Sequence, residues 1–583
     1  MCRSAYSGCW TYRVCLLLTN LGVLITWGTL SVAQERLGIE PPRRPGVIEP
    51  SFPTPPASPP VPRPTLPPLP PAPPEEQEQL SGPRVFVRQI RVVGSTVFTA
   101  AELAAVTAPY VNRSVTSEEL EGLRLALTRL YINAGYINSG AILPDQTVTE
   151  GVITFQILEG VLTSVTVDGN RWFRERYLRR RLAMGITPPL NIGTIQERLQ
   201  LLQQDERIER LDAELRPGVQ LGESALYVRV TERVPFFVAL EFNNYQSPSI
   251  GAERGLLTVA HRNLTGHGDI LEVTYGRSAG LDLQLDASYT LPLTVRDTTL
   301  KVRYQRNDSS VVEDRFSPLD IDSRSEIFTL TLRHPLYRTL RHEFALSVTG
   351  ERLQSRTSLL GEPFDFSLGA EHGVATDTAI RFTAEWLDRT PNQVIAVRSR
   401  FSVGVDALGA TIHDDADIPD GQFFVWLGQI QWGRRLPFYD IQLLFRLDGQ
   451  LTTEPLLPLE QIAVGGRFSV RGYRENTLVR DNGVIASLEV RIPLIRNRRW
   501  AEVVQVVPFA DFGAGWNQHV PTPDPATLGS IGLGLRWTAT WQTFVPLRAQ
   551  VEVFWGYRLK DVDTEGGDLQ DHGLHLQCVV AAF

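Results

Sequence analysis

Leu300-Lys301-Val302-Arg303-Tyr304-Gln305 is the stretch that best reveals the fold of this chain. Apolar and polar residues alternate along it, so an extended strand would present one apolar face and one polar face. Similar alternation runs through residues 281–289, 441–448 (with Leu444 as an exception) and 547–553. A wall between lipid and water requires such strands, because a membrane offers no partners for unpaired backbone groups. The sequence therefore predicts a β-barrel that spans a membrane.

Segments of this kind recur throughout the chain beyond Val234, and sixteen can be counted. An even number of strands places both ends of the barrel on the same side of the membrane. A soluble β-sandwich is the alternative, but it would not need so many charged inner faces with aromatic residues near the strand ends. The expected strand starts are Phe236, Gly255, Asp269, Leu281, Thr298, Glu326, His342, Thr376, Gln393, Gln422, Tyr439, Gly483, Val503, Gly529, Leu547 and Gly573.

The composition argues against several classes of protein. A chain of 583 residues indicates several domains, and an apolar content of 43% is low for a helical membrane protein. The net charge of -8 is not that of a nucleic-acid binder. No His-Glu-x-x-His, phosphate-binding loop, Ser-His-Asp arrangement or dinucleotide fingerprint is present. We therefore expect no enzyme, no catalytic residue, no metal site and no cofactor.

An export signal is predicted at the amino terminus. Residues 14–30 are uncharged and apolar, follow Arg3 and Arg13, and end in the small-residue site Ser31-Val32-Ala33. This pattern predicts a cleaved signal peptide over residues 1–33, with an uncleaved membrane anchor as the alternative. Three of the four cysteines lie within it, so the remaining chain could form no intrachain disulfide.

A proline-rich segment follows the signal. Between Pro41 and Pro83 lie 18 of the 40 prolines of the chain. Such a segment cannot form a helix or a packed core, so residues 34–83 are predicted to be a disordered, extended linker. A proline-rich recognition ligand is the alternative.

Residues 84–233 contain one pattern of elements twice. Each copy reads as strand, helix, helix, strand, strand over about 75 residues, which indicates a tandem repeat. In the first copy a helix is expected near residues 100–110. Thr116-Ser117-Glu118-Glu119 then opens a second helix with a capping-box pattern. The apolar stripe of this second helix consists of Leu120, Leu123, Leu127, Leu130 and Tyr131.

Part of the first copy resembles a known domain. Residues 130–139 read Leu-Tyr-Ile-Asn-Ala-Gly-Tyr-Ile-Asn-Ser, and Leu143-Pro144-Asp145-Gln146 and Glu159-Gly160 follow. These strings closely resemble the first POTRA domain of the ShlB type. The resemblance implies an α+β tandem, with POTRA 1 over residues 84–160 and POTRA 2 over residues 161–233.

Two short motifs lie forty residues apart in the second half of the chain. Val470-Arg471-Gly472-Tyr473 falls in the widest gap, between the eleventh and twelfth expected strands. Phe509-Ala510-Asp511-Phe512-Gly513 lies on the thirteenth. The guanidinium of Arg471 and the carboxylate of Asp511 could form a bidentate, charge-assisted pair. Either motif alone is weak, but both at this spacing are a strong signal.

Together the motifs resemble the signature of the POTRA-plus-barrel superfamily of outer-membrane protein translocators. Within it, the chain is most similar to the two-partner secretion transporters (TpsB, ShlB type). The resemblance implies a 16-stranded antiparallel transmembrane barrel over residues 234–583, after the POTRA tandem. It also implies that the loop after the eleventh strand folds into the lumen, where Arg471 pairs with Asp511. An arginine in a partly dry lumen is costly unless it is paired.

The function implied by this resemblance is export across the outer membrane of a Gram-negative-type cell. The chain would thread an unfolded exoprotein through its barrel, with its POTRA domains in the periplasm. Expected partners are a TpsA-like, β-helical exoprotein bound by the POTRA domains, and outer-membrane lipid; no nucleic acid is expected. The alternative is a BamA-like assembly factor or import pore, although two POTRA copies favour secretion. A passive porin would need no such tandem.

The resemblance also implies where the exoprotein binds. Residues 138–148 are expected to form a strand at the edge of the POTRA 1 sheet, and Pro144 supports this because proline is tolerated on edge strands. An exposed edge offers unpaired backbone groups to which an extended partner can add a strand.

Two features depart from the family pattern, and one acidic segment lies outside it. Relatives often place a barrel-plugging helix before the first POTRA domain, but only residues 34–40 lie between the predicted cleavage site and the proline run here, which are too few for a stable helix. The last residue, Phe583, matches the terminal aromatic of outer-membrane barrels, yet His575 and Gln577 break the apolar face expected to share its parity. The acidic segment 413–420 is interpreted as a solvated loop, with a calcium site as the alternative.

Overall fold

The computed structural model describes residues 84–583 except 314–316, 544 and 563–566. The predicted signal peptide and proline-rich linker lie outside these described residues. In the described part of the chain, none of the helices is both long enough and apolar enough to cross a membrane. The described residues form two small α+β units followed by a closed barrel.

The first α+β unit contains five strands and two helices. Their bounds are β1 Val85–Val87, β2 Gln89–Val93, α1 Ala100–Thr107, β3 Arg113–Val115, α2 Ser117–Asn133, β4 Gly140–Ile142 and β5 Val152–Leu158. The main sheet has the order β2-β5-β4, and β1 pairs with β3. The predicted capping box opens α2: the Glu119 amide donates to Thr116 Oγ1 at 3.2 Å, and the Thr116 amide donates to the Glu119 carboxylate at 2.8 Å.

The strings that suggested a POTRA domain meet in space at the end of this sheet. Tyr131 is fully buried, and its hydroxyl lies 3.0 Å from Glu159 Oε1. Glu159 also accepts hydrogen bonds from the amide and the hydroxyl of Thr96, each at 2.6 Å. Burial raises the pKa of Glu159, but hydrogen bonds from Thr96, Tyr131 and Val97 outweigh burial and hold it below its usual value. Burial raises the pKa of Tyr131 to about 12.

The second α+β unit repeats the topology of the first. Its elements are β6 Val161–Asp168, α3 Glu175–Ala183, α4 Ile192–Gln203, β7 Ile208–Pro217 and β8 Glu223–Glu232. The sheet order is β6-β8-β7, where β6 runs parallel and β7 antiparallel to β8. In the first unit, β2 and β4 stand in the same relation to β5. The shared topology confirms the predicted tandem repeat.

The barrel closes by pairing its last strand with its first. Sixteen of the following strands form the wall, because β16 pairs only with the end of β15 and because β21 and β22 form a separate pair. This number confirms the predicted strand count, and every wall strand begins within five residues of its predicted start. The bounds are β9 Phe236–Asn243, β10 Arg254–His261, β11 Ile270–Ser278, β12 Leu281–Pro292, β13 Thr299–Ser310, β14 Ile321–Arg338, β15 His342–Leu359, β16 Glu362–Pro363, β17 Val374–Thr390, β18 Gln393–Gly404, β19 Phe424–Arg435, β20 Gln442–Thr452, β21 Ile462–Val464, β22 Leu478–Arg480, β23 Asn482–Arg498, β24 Ala501–Trp516, β25 Thr527–Trp541, β26 Leu547–Arg558 and β27 Leu574–Ala582.

Strand β9 shows why the wall has two faces. Val238, Leu240 and Phe242 are exposed. The residues that alternate with them along the strand are buried: Phe237, Ala239, Glu241 and Asn243. The exposed apolar face suits lipid, and the opposite face lies inside the barrel. The wall therefore follows the predicted alternation.

The carboxyl-terminal strand corrects one expectation. Phe583 packs against the buried Phe237, Ala239 and Ala581, so its parity is that of the inner face. His575 shares this parity and is fully buried. The expectation that Phe583 shares the apolar, lipid-facing parity was therefore wrong, and polar residues of the same parity do not interrupt the outer face.

The predicted edge strand is shorter than expected. It is β4 and covers only Gly140–Ile142, although it does lie at the sheet edge. Pro144 lacks an amide hydrogen and cannot continue the ladder. In its place the side chain of Gln146 bonds to β5: its Nε2 donates to the Thr154 carbonyl and its Oε1 accepts from the Thr154 amide, both at 2.8 Å.

Candidate functional site: a loop folded into the barrel

The longest connection that enters the barrel joins β20 to β23. We call residues 453–481 the inner loop. Its strands β21 and β22 pair with each other and bring the two arms of the loop together. Gly465 and Gly466, with φ of 117° and 98°, allow the chain to turn after β21. The apolar side chains of the loop pack on the wall in one cluster: Ile462, Val464, Val470, Tyr473 and Leu478 contact Ile485 and Leu528.

Arg471 joins the tip of the inner loop to the wall. The residue is 1% exposed. Nε donates to Asp511 Oδ2 and Nη2 donates to Asp511 Oδ1, each at 2.7 Å. The Arg471 amide also donates to Asp511 Oδ2, at 3.1 Å. The structure thus places these two sequence-predicted residues together in a bidentate pair.

Two further wall residues complete the polar surroundings of Arg471. Its Nη1 donates to Glu489 Oε1 at 2.6 Å, and Nη2 donates to Ser487 Oγ at 3.1 Å. The Ser487 hydroxyl in turn donates to Asp511 Oδ1 at 2.6 Å. One cation therefore faces two carboxylates, which offset the cost of its burial.

The neighbouring motif residues shape the apolar side of this site. The guanidinium carbon of Arg471 lies 3.7 Å from the ring centroid of Phe509, close enough for a cation–π contact. A Cβ at Gly513 would come within 2.3 Å of a Val464 methyl and 2.8 Å of a Val470 methyl. Glycine on the wall therefore lets the loop approach the strand closely.

Gly472 and Tyr473 attach the loop to the last strands of the barrel. Gly472 has a φ of 96°, and a Cβ there would lie 2.7 Å from the Gly556 carbonyl. The Gly472 amide donates to His575 Nε2 at 3.1 Å. The Tyr473 hydroxyl lies 2.9 Å from the carbonyl oxygen of Gly529 and equally far from that of Lys560. All seven motif residues thus lie at one contact between loop and wall.

Several partners of the loop were not predicted from the sequence. Arg467 donates to Glu552 at 2.8 Å, and Arg474 donates to Asp571 at 2.8 Å and to Glu313 at 3.1 Å. These arginines flank the recognised motif, which is the one signal that could have suggested them. Their acidic partners come from strands and loops far away in the sequence, so spacing alone could not identify them.

The acidic segment 413–420 does not assemble a metal site among the described residues. No group of three or more histidine, cysteine, aspartate or glutamate side chains in the described ranges could hold a metal ion. Instead, Asp420 accepts from the His413 amide at 3.2 Å, and Asp417 lies 2.8 Å from His519 Nδ1.

Two family models match this chain. The family described as haemolysin secretion/activation protein ShlB/FhaC/HecB matches residues 222–537, which is more than half of the chain. The chain belongs to this family. The POTRA domain of the ShlB type matches residues 85–160.

Individual relatives agree with this assignment. The outer membrane transporter CdiB of Dickeya dadantii (strain 3937) is 25% identical over 497 residues, which cover 82% of this chain and 83% of that protein. The hemolysin transporter protein ShlB of Serratia marcescens is 23% identical over 451 residues, which cover 75% and 78%. The solved structure of CdiB from Escherichia coli has the same fold, with a TM-score of 0.64 and 23% identity over 87% of this chain and 92% of that one.

Family membership fixes the role of the molecule. The protein is an outer-membrane transporter of two-partner secretion with its POTRA region in the periplasm. The family consists of transporters rather than enzymes. The predicted family, fold class, transport function and location are confirmed, and the BamA-like alternative is not favoured. Because the periplasmic region leads into β9, the loops that follow the first, third and every later odd-placed strand of the wall face outward from the cell. The loops after β9, β11 and β20 are among them.

Proposed function

We propose that this transporter captures one unfolded exoprotein with its POTRA domains and passes it through the barrel lumen as the inner loop moves aside. We assign residues 1–33 to a signal peptide, 34–83 to a linker, 84–160 and 161–233 to the POTRA domains and 234–583 to the barrel. The Arg471 site carries the proposal, because it holds a loop inside the lumen by polar contacts. Such contacts can be exchanged for water without opening the backbone ladder of the wall.

The exported partner is proposed to be a TpsA-like protein rich in β-helix. The Serratia relative is named a hemolysin transporter, which supports a secreted protein as the cargo. The cargo would cross as an extended chain, which needs a narrower path than a folded β-helix. Outer-membrane lipid would contact the exposed apolar face of the wall.

The structure argues against β4 as the edge that captures this cargo. The Ala141 amide donates to Thr128 Oγ1 at 3.0 Å, and Arg124 Nη1 donates to the Ala141 carbonyl at 3.3 Å. Both partners lie on α2. Where β4 ends, Gln146 occupies the backbone groups of Thr154. An incoming strand would have to displace these side chains first.

Strand β7 in the second unit is the better capture edge. It has ten residues and lies at the edge of the sheet. Among the described residues, the backbone groups of residues 210–217 that face away from β8 have no partner. The side chains form pairs along the strand, Arg210 with Asp212 and Arg216 with Glu214, which protect such an edge from indiscriminate pairing. An extended cargo can therefore add a strand there.

Proline substitutions in β7 test this capture edge. Proline is placed singly at Asp212 and at Ala213, because consecutive amides point to opposite sides of a strand. The variant that loses the outward amide should bind the amino-terminal segment of a TpsA-like exoprotein about fivefold more weakly, the fold-change that corresponds to one net hydrogen bond of about 1 kcal/mol. Binding to the full-length transporter and export of the exoprotein into the medium are measured together.

The matched control lies at the β4 edge. Thr128→Val frees the Ala141 amide, and it should leave binding unchanged if cargo is captured at β7. Circular dichroism confirms that each variant keeps its fold. If Thr128→Val changes binding while the outward proline in β7 does not, capture occurs at β4. If the parent chain exports no exoprotein, the proposed cargo is wrong.

A further inference from the structure

A second buried charge cluster joins the inner loop to another part of the wall. Arg381 on β17 is 4% exposed, and it donates to both carboxylate oxygens of Glu460 in the inner loop, at 2.6 Å and 3.0 Å. It also donates to Glu351 on β15 at 2.7 Å and to Ser402 on β18 at 2.8 Å. Glu460 is thus held by a bidentate pair of the same kind as the one that holds Arg471.

This cluster is separate from the Arg471 site in space and in sequence. Along the ring of wall strands, β17 is followed by β18, β19, β20, β23 and β24, so Arg381 stands five strands away from Asp511. Glu460 precedes β21, whereas Arg471 follows it. A different apolar cluster covers this region, formed by Ala379, Phe423, Val425 and Leu456. The two sites therefore hold different parts of the loop.

An additional carboxylate at this cluster has no hydrogen bond. Asp377 is 2% exposed, and neither of its carboxylate oxygens has a hydrogen-bond partner among the described residues. Four charged residues lie near enough to act electrostatically on the Asp377 carboxyl: Glu460, Arg381, Asp420 and Glu351. One guanidinium thus faces three nearby carboxylates, of which Asp377 alone receives no hydrogen bond. Asp377 therefore takes no part in the hydrogen bonds that hold Glu460.

We propose that Arg381 and Glu460 form a second anchor of the inner loop, which acts independently of Arg471 and Asp511. The inference rests on the proposed movement of the inner loop. The Arg471 site holds the tip, and the second anchor holds the arm that enters the lumen. Release of the tip alone would leave this arm against the wall.

Ion conductance of the full-length protein in planar bilayers tests the proposal without any cargo. Glu460→Gln keeps the side-chain shape but removes its charge, and it should raise the ratio of open to closed time about tenfold, the value of a charged hydrogen-bonded pair. Arg381 is left intact, because its removal would strand three buried carboxylates and endanger folding.

The matched control is Glu385→Gln. Glu385 also pairs with two arginines, Arg333 at 2.9 Å and Arg398 at 2.8 Å, but both stand on the wall. This variant should leave the open-to-closed ratio unchanged. Because a general loss of stability would shift this control in the same direction as Glu460→Gln, an unchanged control identifies an effect on the anchor itself.

Independence of the two anchors is tested by combining Glu460→Gln with Arg471→Gln. Two separate anchors predict that the double variant opens more than either single variant, by the product of the two fold-changes. A double variant equal to Arg471→Gln would overturn the second anchor. Export is measured separately, so that failure of the proposed cargo route remains distinguishable from failure of the anchor.

Discussion

At the scale of single residues, the contact between loop and wall depends on the shape of one guanidinium. Arg471 directs Nε and Nη2 to the two oxygens of Asp511 and Nη1 to Glu489. A lysine ammonium is a single point charge and could not serve both carboxylates in this geometry. The flanking Gly472 brings the backbone against Gly556, so the position of the guanidinium is set by the chain on both sides.

Substitution of either partner in this pair should impair export while leaving the barrel assembled. Arg471→Ala strands Asp511 as a buried carboxylate, whereas Glu489 keeps its pair with Arg491. Asp511→Ala removes the main partner of the guanidinium, and each loss costs about 3–5 kcal/mol at the contact. The strand ladder does not depend on this pair, so membrane insertion should persist. Secreted exoprotein and heat-modifiable gel mobility of the barrel are the measurements.

The double variant separates a direct pair from two independent effects. A double-mutant cycle on the conductance equilibrium should give a coupling energy of about 1–3 kcal/mol. The matched control is Arg303→Gln, which breaks the pair with Asp286 between two wall strands. It should leave export unchanged. Additive effects of Arg471→Ala and Asp511→Ala, or full export by both single variants, would contradict the role given to the pair.

At the scale of elements, the inner loop is a small folded unit with its own core. It pairs its own strands and buries Val464, Val470 and Tyr473 against the wall. The contacts with β23, β24, β26 and β27 are made by side chains and single backbone groups, whereas neighbouring wall strands share complete ladders. The loop can therefore leave the lumen at a smaller cost than the wall can open.

Deletion of residues 465–476 should raise the conductance of the purified barrel. These residues contain the turn and the whole of the Arg471 motif, and their removal leaves the lumen to water and ions. The wall strands keep all their pairing partners, so the barrel should still insert. Single-channel conductance in planar bilayers is the measurement. A deletion variant that conducts no better than the parent chain would show that these residues do not limit the pore.

The elements differ in how far the sequence alone predicts them. Alternation gave all sixteen wall strands, because a surface between lipid and water imposes a period of two on every strand. The length of β4 could not be predicted in this way, since it depends on Gln146 replacing a backbone partner of Thr154. Within the inner loop, the short motifs indicated Arg471 and Asp511. Glu460 lies in no recognised motif. Its partner, Arg381, is far away in the sequence, and the two residues meet only because the inner loop folds against the wall of the closed barrel.

At the scale of the whole molecule, the second α+β unit is joined to the first turns of the barrel. Arg174 donates to the Thr265 carbonyl at 3.0 Å, and its amide donates to the Gly266 carbonyl at 2.9 Å. Arg207 donates to the Gly268 carbonyl and pairs with Asp205 at 2.6 Å. Burial raises the pKa of Asp205, but Arg207 outweighs it and holds this pKa below its usual value, so the pair stays charged at neutral pH.

This joint fixes where a captured cargo is delivered. The sheet that carries the edge strand β7 belongs to the same unit as Arg207, which contacts the turn between β10 and β11. A loosened joint would let this unit move relative to the barrel entrance while leaving the inner loop and its anchors untouched. Capture, conductance and export should therefore respond differently to a change at Arg207.

Arg207→Gln should reduce export severalfold while leaving cargo binding and channel conductance near those of the parent chain. The substitution removes the charge that Asp205 needs and weakens the bond to Gly268, so hydrogen exchange in residues 262–269 should rise. Arg179→Gln is the matched control, because in the described part of the chain Arg179 pairs only with Glu175 on the exposed face of α3. Unchanged export with faster exchange would show that delivery does not require a rigid joint; reduced cargo binding would place the effect in capture instead.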